Sequence, residues 1–131
     1  MPRSLLLPMI RSTLVLIFSA TLASGCALAQ DKAMAEIRYV IIHRPGPAWK
    51  PGVPAFEQPG LQEHVMHFSK WLQQGKLLMG GPFMDQASGG TMIAEVGITE
   101  SEARAFAAED PTVKSGLLVF EVRPWMAALH K

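Results

Sequence analysis

His64 and Asp110 are the residues of this chain whose types, taken together, could move a proton. An imidazole titrates near neutral pH, and a carboxylate beside it can fix its tautomer and stabilise its charged form. His64 lies in a stretch that opens at Leu61 and closes at Gly75, while Asp110 precedes Pro111, where a second helix must stop. Each residue also has a plainer reading. His64 could bond a backbone carbonyl, and Asp110 could satisfy local N–H groups in the turn into Pro111. The pair works only if the fold brings two helix–strand corners together.

Other candidates surround this pair. Gly81 and Pro82, after Gly80, could form a pocket floor where side chains must be absent, and Trp49 and Trp71 could wall an apolar pocket. Gly81, Pro82, Trp71 and Trp49 are therefore the candidate substrate-binding residues. Arg38, Arg44 and Arg123 could clamp an anion, although single arginines at strand ends also occur as solvated charges. His64 and His67, one helical turn apart, could share a metal ion with Asp110 or His43 as third ligand. On the helical wheel His67 turns toward solvent, so neither a metal nor a cofactor is expected. Serine catalysis lacks a G-x-S-x-G elbow, and Gly89-Gly90 reads as a hairpin turn rather than a phosphate loop.

The elements that must position these residues follow from patterning. Glu36–His43 is β-branched and aromatic, a strand. The segment from Arg44 to Pro54 is too rich in proline and glycine for regular structure; a loop so long in a small domain is functional or frayed. Leu61–Gln74 has helical spacing, with Leu61, Val65, Phe68 and Leu72 on one stripe and His64 and Trp71 on its shoulder. Strands are expected over Lys76–Phe83, Thr91–Val96 and Gly116–Arg123, the last stopped at Pro124-Trp125. Thr99-Glu-Ser-Glu102 is a capping box that opens an alanine-rich helix ending by Asp110. The order β-α-β-β-α-β, with right-handed crossovers, gives the ferredoxin-like α+β fold: a four-stranded antiparallel sheet with both helices on one face. Apolar residues on both sides of the strands (Val40 and Ile41, Leu118 and Val119) predict that the other face is covered by a second copy, a sheet-to-sheet homodimer.

Residues 1–29 have a basic start, an apolar middle and a small-residue exit, the order of a secretory signal peptide; residues 30–131 form one domain. Cleavage after Ala27-Leu28-Ala29 would release a periplasmic or secreted chain with no transmembrane span. The alternative is a lipoprotein anchored through Cys26, since Leu22-Ala-Ser-Gly-Cys26 resembles a lipobox. Cys26 is the only cysteine, so cleavage after Ala29 leaves no disulfide and no thiol nucleophile. Two of the twelve Lys/Arg fall in the leader, leaving ten against eleven Asp/Glu. A near-neutral domain without a basic stripe gives nucleic-acid binding no electrostatic support.

The succession His64-x10-Gly75, Gly81-Pro82, Thr99-Glu-Ser-Glu-Ala103, Asp110-Pro111 and a last strand into Pro124-Trp125 resembles the YCII-related (YciI-like) family, from about Ile37 to Trp125. The resemblance implies a ferredoxin-like subunit pairing into a dimeric α+β barrel, with a His–Asp active site that maps onto His64 and Asp110. One member of that family is a dehydrochlorinase of a chlorinated hydroxyquinol. The leader and the long proline-rich loop depart from the family's compact pattern. The expectation is an exported enzyme doing general acid/base chemistry, of lyase or isomerase type, on a small cyclic or phenolic compound. A non-catalytic dimer that binds a small ligand or a partner is the alternative.

Overall fold

The computed structural model describes residues 37–129, so the leader, Cys26 and the expected strand start at Glu36 lie outside the described residues. Four strands, β1 (Ile37–Pro45), β2 (Leu77–Pro82), β3 (Gly90–Ala94) and β4 (Leu118–Met126), form one sheet in the order β2-β3-β1-β4. Each neighbouring pair is antiparallel. Helix α1 (Leu61–Gln73) connects β1 to β2, and α2 (Glu100–Ala108) with the short α3 (Pro111–Lys114) connects β3 to β4. This is the ferredoxin-like α+β arrangement expected from the element order. No helix among the described residues is long and apolar enough to cross a membrane.

Alternation along β1 decides what each face carries. Ile41 and His43 are buried toward the helices, while Val40 and Ile42 stand on the opposite face. Ile41 pairs with Met92 on β3 and Val122 on β4, which continues the inward row across the sheet. Phe68 and Trp71 from α1 pack on that row, with Ala103 and Ala107 from α2. The alanines are fully buried, so α2 can lie close to the strands.

Two expected boundaries shift, for one physical reason. β1 continues through Arg44 and Pro45, and β4 runs through Pro124 and Trp125 to Met126. Proline lacks an N–H and is excluded from strands bonded on both sides. Here β4 is an edge strand, and beyond His43 β1 keeps β4 as its paired neighbour.

The stripe expected on α1 is also rotated. Its buried residues are His64, His67, Phe68 and Trp71, at i, i+3, i+4 and i+7. Val65 and Leu72, placed on the core stripe by hydrophobicity, are 47% and 56% exposed. Two histidines displace two aliphatics because buried partners await their ring nitrogens. Gly75 closes α1 at φ 68°, as a C-terminal glycine should.

Candidate active site

Asp110 is where α2 and α3 meet, and its position explains its role. The Thr99–Glu102 capping box starts α2 as expected, and α2 ends at Ala108. Asp110 is then the N-cap of α3, which the sequence reading missed: its Oδ1 accepts from the Thr112 amide (2.9 Å) and hydroxyl (2.8 Å). Pro111 occupies the first turn of α3, where no amide partner is needed. An Asp followed by Pro is a recognisable helix-start signal, so α3 was legible.

The cap leaves Oδ2 free to face α1. His64 Nδ1 lies 2.5 Å from Asp110 Oδ2, in a buried contact across 46 residues of sequence. With Nδ1–H donating to the carboxylate, Nε2 keeps the lone pair. Burial pushes the Asp110 carboxyl up, but the bonds from His64 and Thr112 outweigh it and hold the group below the ordinary 3.8. The carboxylate is therefore ionised at neutral pH, a fixed anion behind the imidazole.

His64 lines a cavity of about 430 Å³. Trp49, Phe56 and Leu61 wall one side, and the Gly80-Gly81-Pro82 and Gly89-Gly90 backbones border another. Of the four expected substrate-binding residues, Gly81, Pro82 and Trp49 line this space. Trp71 does not: it is 4% exposed and stacks on Phe106 in the core, ring centroids 4.1 Å apart. At Gly81 an added Cβ would meet nothing, so absence of a side chain is not required there. It is required at Gly90, where a Cβ would lie 2.6 Å from the Gly81 carbonyl oxygen. Gly90 is the β3 partner of His43, so no side chain fills the space beside that imidazole.

The proline-rich loop is built rather than frayed. Gln58 is 4% exposed; its Oε1 accepts from the Lys50 amide, and its Nε2 donates to the Lys50 and Val53 carbonyls. These bonds fold residues 46–58 back on themselves and hold Trp49 against the cavity. A lone glutamine in a loop gave no such signal.

His67 corrects another expectation. It does not face solvent; it is 8% exposed, stacks on Phe106 and donates from Nε2 to the Phe106 carbonyl at 2.7 Å. That commitment removes it from any metal site with His64. The group with metal-ligand atoms in one place is instead His43, His64 and Asp110, all within 4.8 Å of one another. Within it His64 Nδ1 and Asp110 Oδ2 already bond each other at 2.5 Å, closer than two ligands about 2.0–2.1 Å from a tetrahedral zinc would sit. The set fits a hydrogen-bonded dyad better than a metal shell. The three arginines that could have clamped an anion do not line the cavity: Arg38 pairs with Glu95, Arg44 pairs with Glu121, and Arg123 lies on the open sheet face.

His43 is the residue that the sequence reading undervalued. It is 1% exposed, and neither ring nitrogen has a hydrogen-bond partner. Its ring meets His64 edge-on at 4.8 Å and Phe68 at 5.4 Å. Burial, then the nearby His64, lower its pKa from 6.5 to about 4, so it is neutral at physiological pH. Its place two residues beyond Ile41 on the inward row was the available signal.

A profile of the YCII-related domain matches residues 37–126. Among solved structures, the chain is similar to 5-chloro-2-hydroxyhydroquinone dehydrochlorinase of Burkholderia phenoliruptrix AC1100, in complex with 2,5-dihydroxybenzoquinone. Identity is 23%, the match covers 66% of this chain and 92% of that chain, and the TM-score is 0.41. No curated protein matches. The matched segment spans all four strands and both members of the His64–Asp110 pair, and the chain belongs to the YCII-related domain family.

Proposed function

We propose that this protein is an enzyme of lyase or isomerase type that transfers a proton to or from a small cyclic or phenolic compound in the His64 cavity. The observation that carries the reading is a buried, ionised Asp110 bonded to the Nδ1 side of a histidine whose ring borders an apolar cavity. Asp110 holds the tautomer in which Nε2 is basic. When Nε2 takes a proton from substrate, the carboxylate stabilises the imidazolium that forms. The same nitrogen then returns the proton to another atom of the substrate, completing an isomerisation, or to a departing group, completing an elimination. Trp49 and Phe56 line the cavity and limit water beside the reacting carbon.

Deuterium exchange tests this directly. Small cyclic ketones and phenols incubated with the protein in D2O should gain deuterium at acidic C–H positions, followed by NMR. His64→Gln should lower the exchange rate by about 10²–10⁴-fold, the usual contribution of a positioned acid or base. Compounds that bind without exchanging would instead favour the non-catalytic ligand-binding alternative.

Two further features complete the proposal. The leader makes this an activity of the periplasm or the medium, with anchoring through Cys26 as the alternative; the intact mass of the exported form separates them. The open sheet face, with Val40, Ile42, Ile93 and Trp125 around one shallow depression, is the surface through which two copies would pair sheet-to-sheet. Ile42→Asp places a charge at its centre and should convert a dimer to a monomer in sedimentation equilibrium. A wild-type chain that sediments as a monomer would remove the pairing.

A further inference from the structure

His43 lies outside the His64–Asp110 pair yet shares its space, and its two unpartnered nitrogens call for an explanation. A buried polar group without a partner is costly, and a ligand returns that cost if it supplies the missing bond. The surroundings define that ligand. Among the described residues no charged side chain lines the cavity, and the Ser69 hydroxyl proton is already donated to the Val65 carbonyl. The rings of His64 and His43 and the indole N–H of Trp49 are thus the side-chain groups left to meet a polar atom, and His43 is the one beside His64. His43 and His64 line the same cavity with their ring centroids 4.8 Å apart, so an oxygen seated on His64 lies beside both rings.

We propose that His43 is the second hydrogen-bonding contact of the cavity, donating a neutral imidazole N–H to the carbonyl oxygen of an uncharged ring compound. Because it stays neutral, His43 polarises a carbonyl without attracting carboxylates or phosphates, which the apolar lining would leave desolvated and unpaired. Its donated bond strengthens as negative charge gathers on that oxygen, so it serves selection and proton abstraction alike. The inference rests on the cavity being the substrate site, as proposed above, but it is read by binding and needs no turnover.

Three probes of similar shape test it: acetophenone, α-methylstyrene, in which C=CH2 replaces C=O, and benzoate, which adds a negative charge. Acetophenone should bind roughly tenfold more tightly than either, the value of one hydrogen bond of about 1.4 kcal/mol. Its C=O stretch should fall to lower frequency on binding. His43→Phe should erase both the preference and the shift, while His43→Gln, which keeps an N–H donor, should retain part of each. A His64→Gln variant that loses deuterium exchange but keeps the preference would leave this inference standing apart from the catalytic reading. Benzoate binding as tightly as acetophenone, a preference that survives His43→Phe, or no binding by any probe would overturn it. So would a stoichiometric zinc ion lost on His43→Phe, since His43 would then be a metal ligand.

Discussion

Asp110→Ala should lower unfolding stability by about 3–5 kcal/mol, the cost typical of removing one partner from a buried pair. Asp110 is fully buried and its carboxylate serves three donors: His64 Nδ1–H, the Thr112 amide and the Thr112 hydroxyl. Removing the oxygens strands all three and uncaps α3. Each stranded group costs roughly 1–3 kcal/mol, with the lower figure for those that can turn toward water. Urea titration of both proteins measures the difference as a shift in midpoint at constant slope. Asp110→Asn separates stability from chemistry. Its amide oxygen can still accept from Thr112, so most of the cap survives. Its NH2 group then faces Nδ1, which forces the proton onto Nε2 and removes the base. The expected result is a folded protein with the opposite His64 tautomer in 15N NMR and little deuterium exchange. An Asp110→Ala protein within 1 kcal/mol of wild type would mean that the His64–Asp110 contact contributes nothing to the fold.

The sequence carried the site's pair further than its surroundings. His64 and Asp110 were legible because each sits at a marked corner, a helix ahead of Gly75 and an Asp-Pro step. The four strands, the two longer helices and the capping box were legible because hydrophobic period and cap chemistry are local signals. What failed were judgements of facing. Val65 and Leu72 outrank His64 and His67 in hydrophobicity, yet the histidines are buried because Asp110 and the Phe106 carbonyl, more than 38 residues away, receive their protons. Trp71 looked like a pocket wall for want of its stacking partner, Phe106. No local pattern distinguishes a histidine that awaits a distant acceptor from one that faces water. The same holds for Gln58, whose three bonds appear only once the loop has folded.

The second large effect concerns acid. Native stability should fall by roughly 3 kcal/mol as pH drops from about 7 to 4, and His43→Phe should abolish most of that slope. Folding buries His43 and lowers its pKa from 6.5 to about 4, with His64 and His67 adding to the shift and Asp110 opposing it. Below 6.5 the unfolded chain protonates His43 while the native state does not, so unfolding takes up a proton and acid favours it. Near 4 the native ring also protonates and the difference saturates. Phenylalanine cannot titrate, and it fits a site formed by the rings of His64, Phe68 and Phe120. A second window opens lower. Asp110 has a depressed pKa, so its contribution is present above the ordinary 3.8 and is lost as pH falls through the native value. Asp110→Asn removes that lower window and leaves the upper one. Urea midpoints between pH 3 and 7.5 for wild type and both variants resolve the two. If the upper slope persists in His43→Phe, its source is another group, and His43 is not the neutral ring on which the carbonyl contact depends.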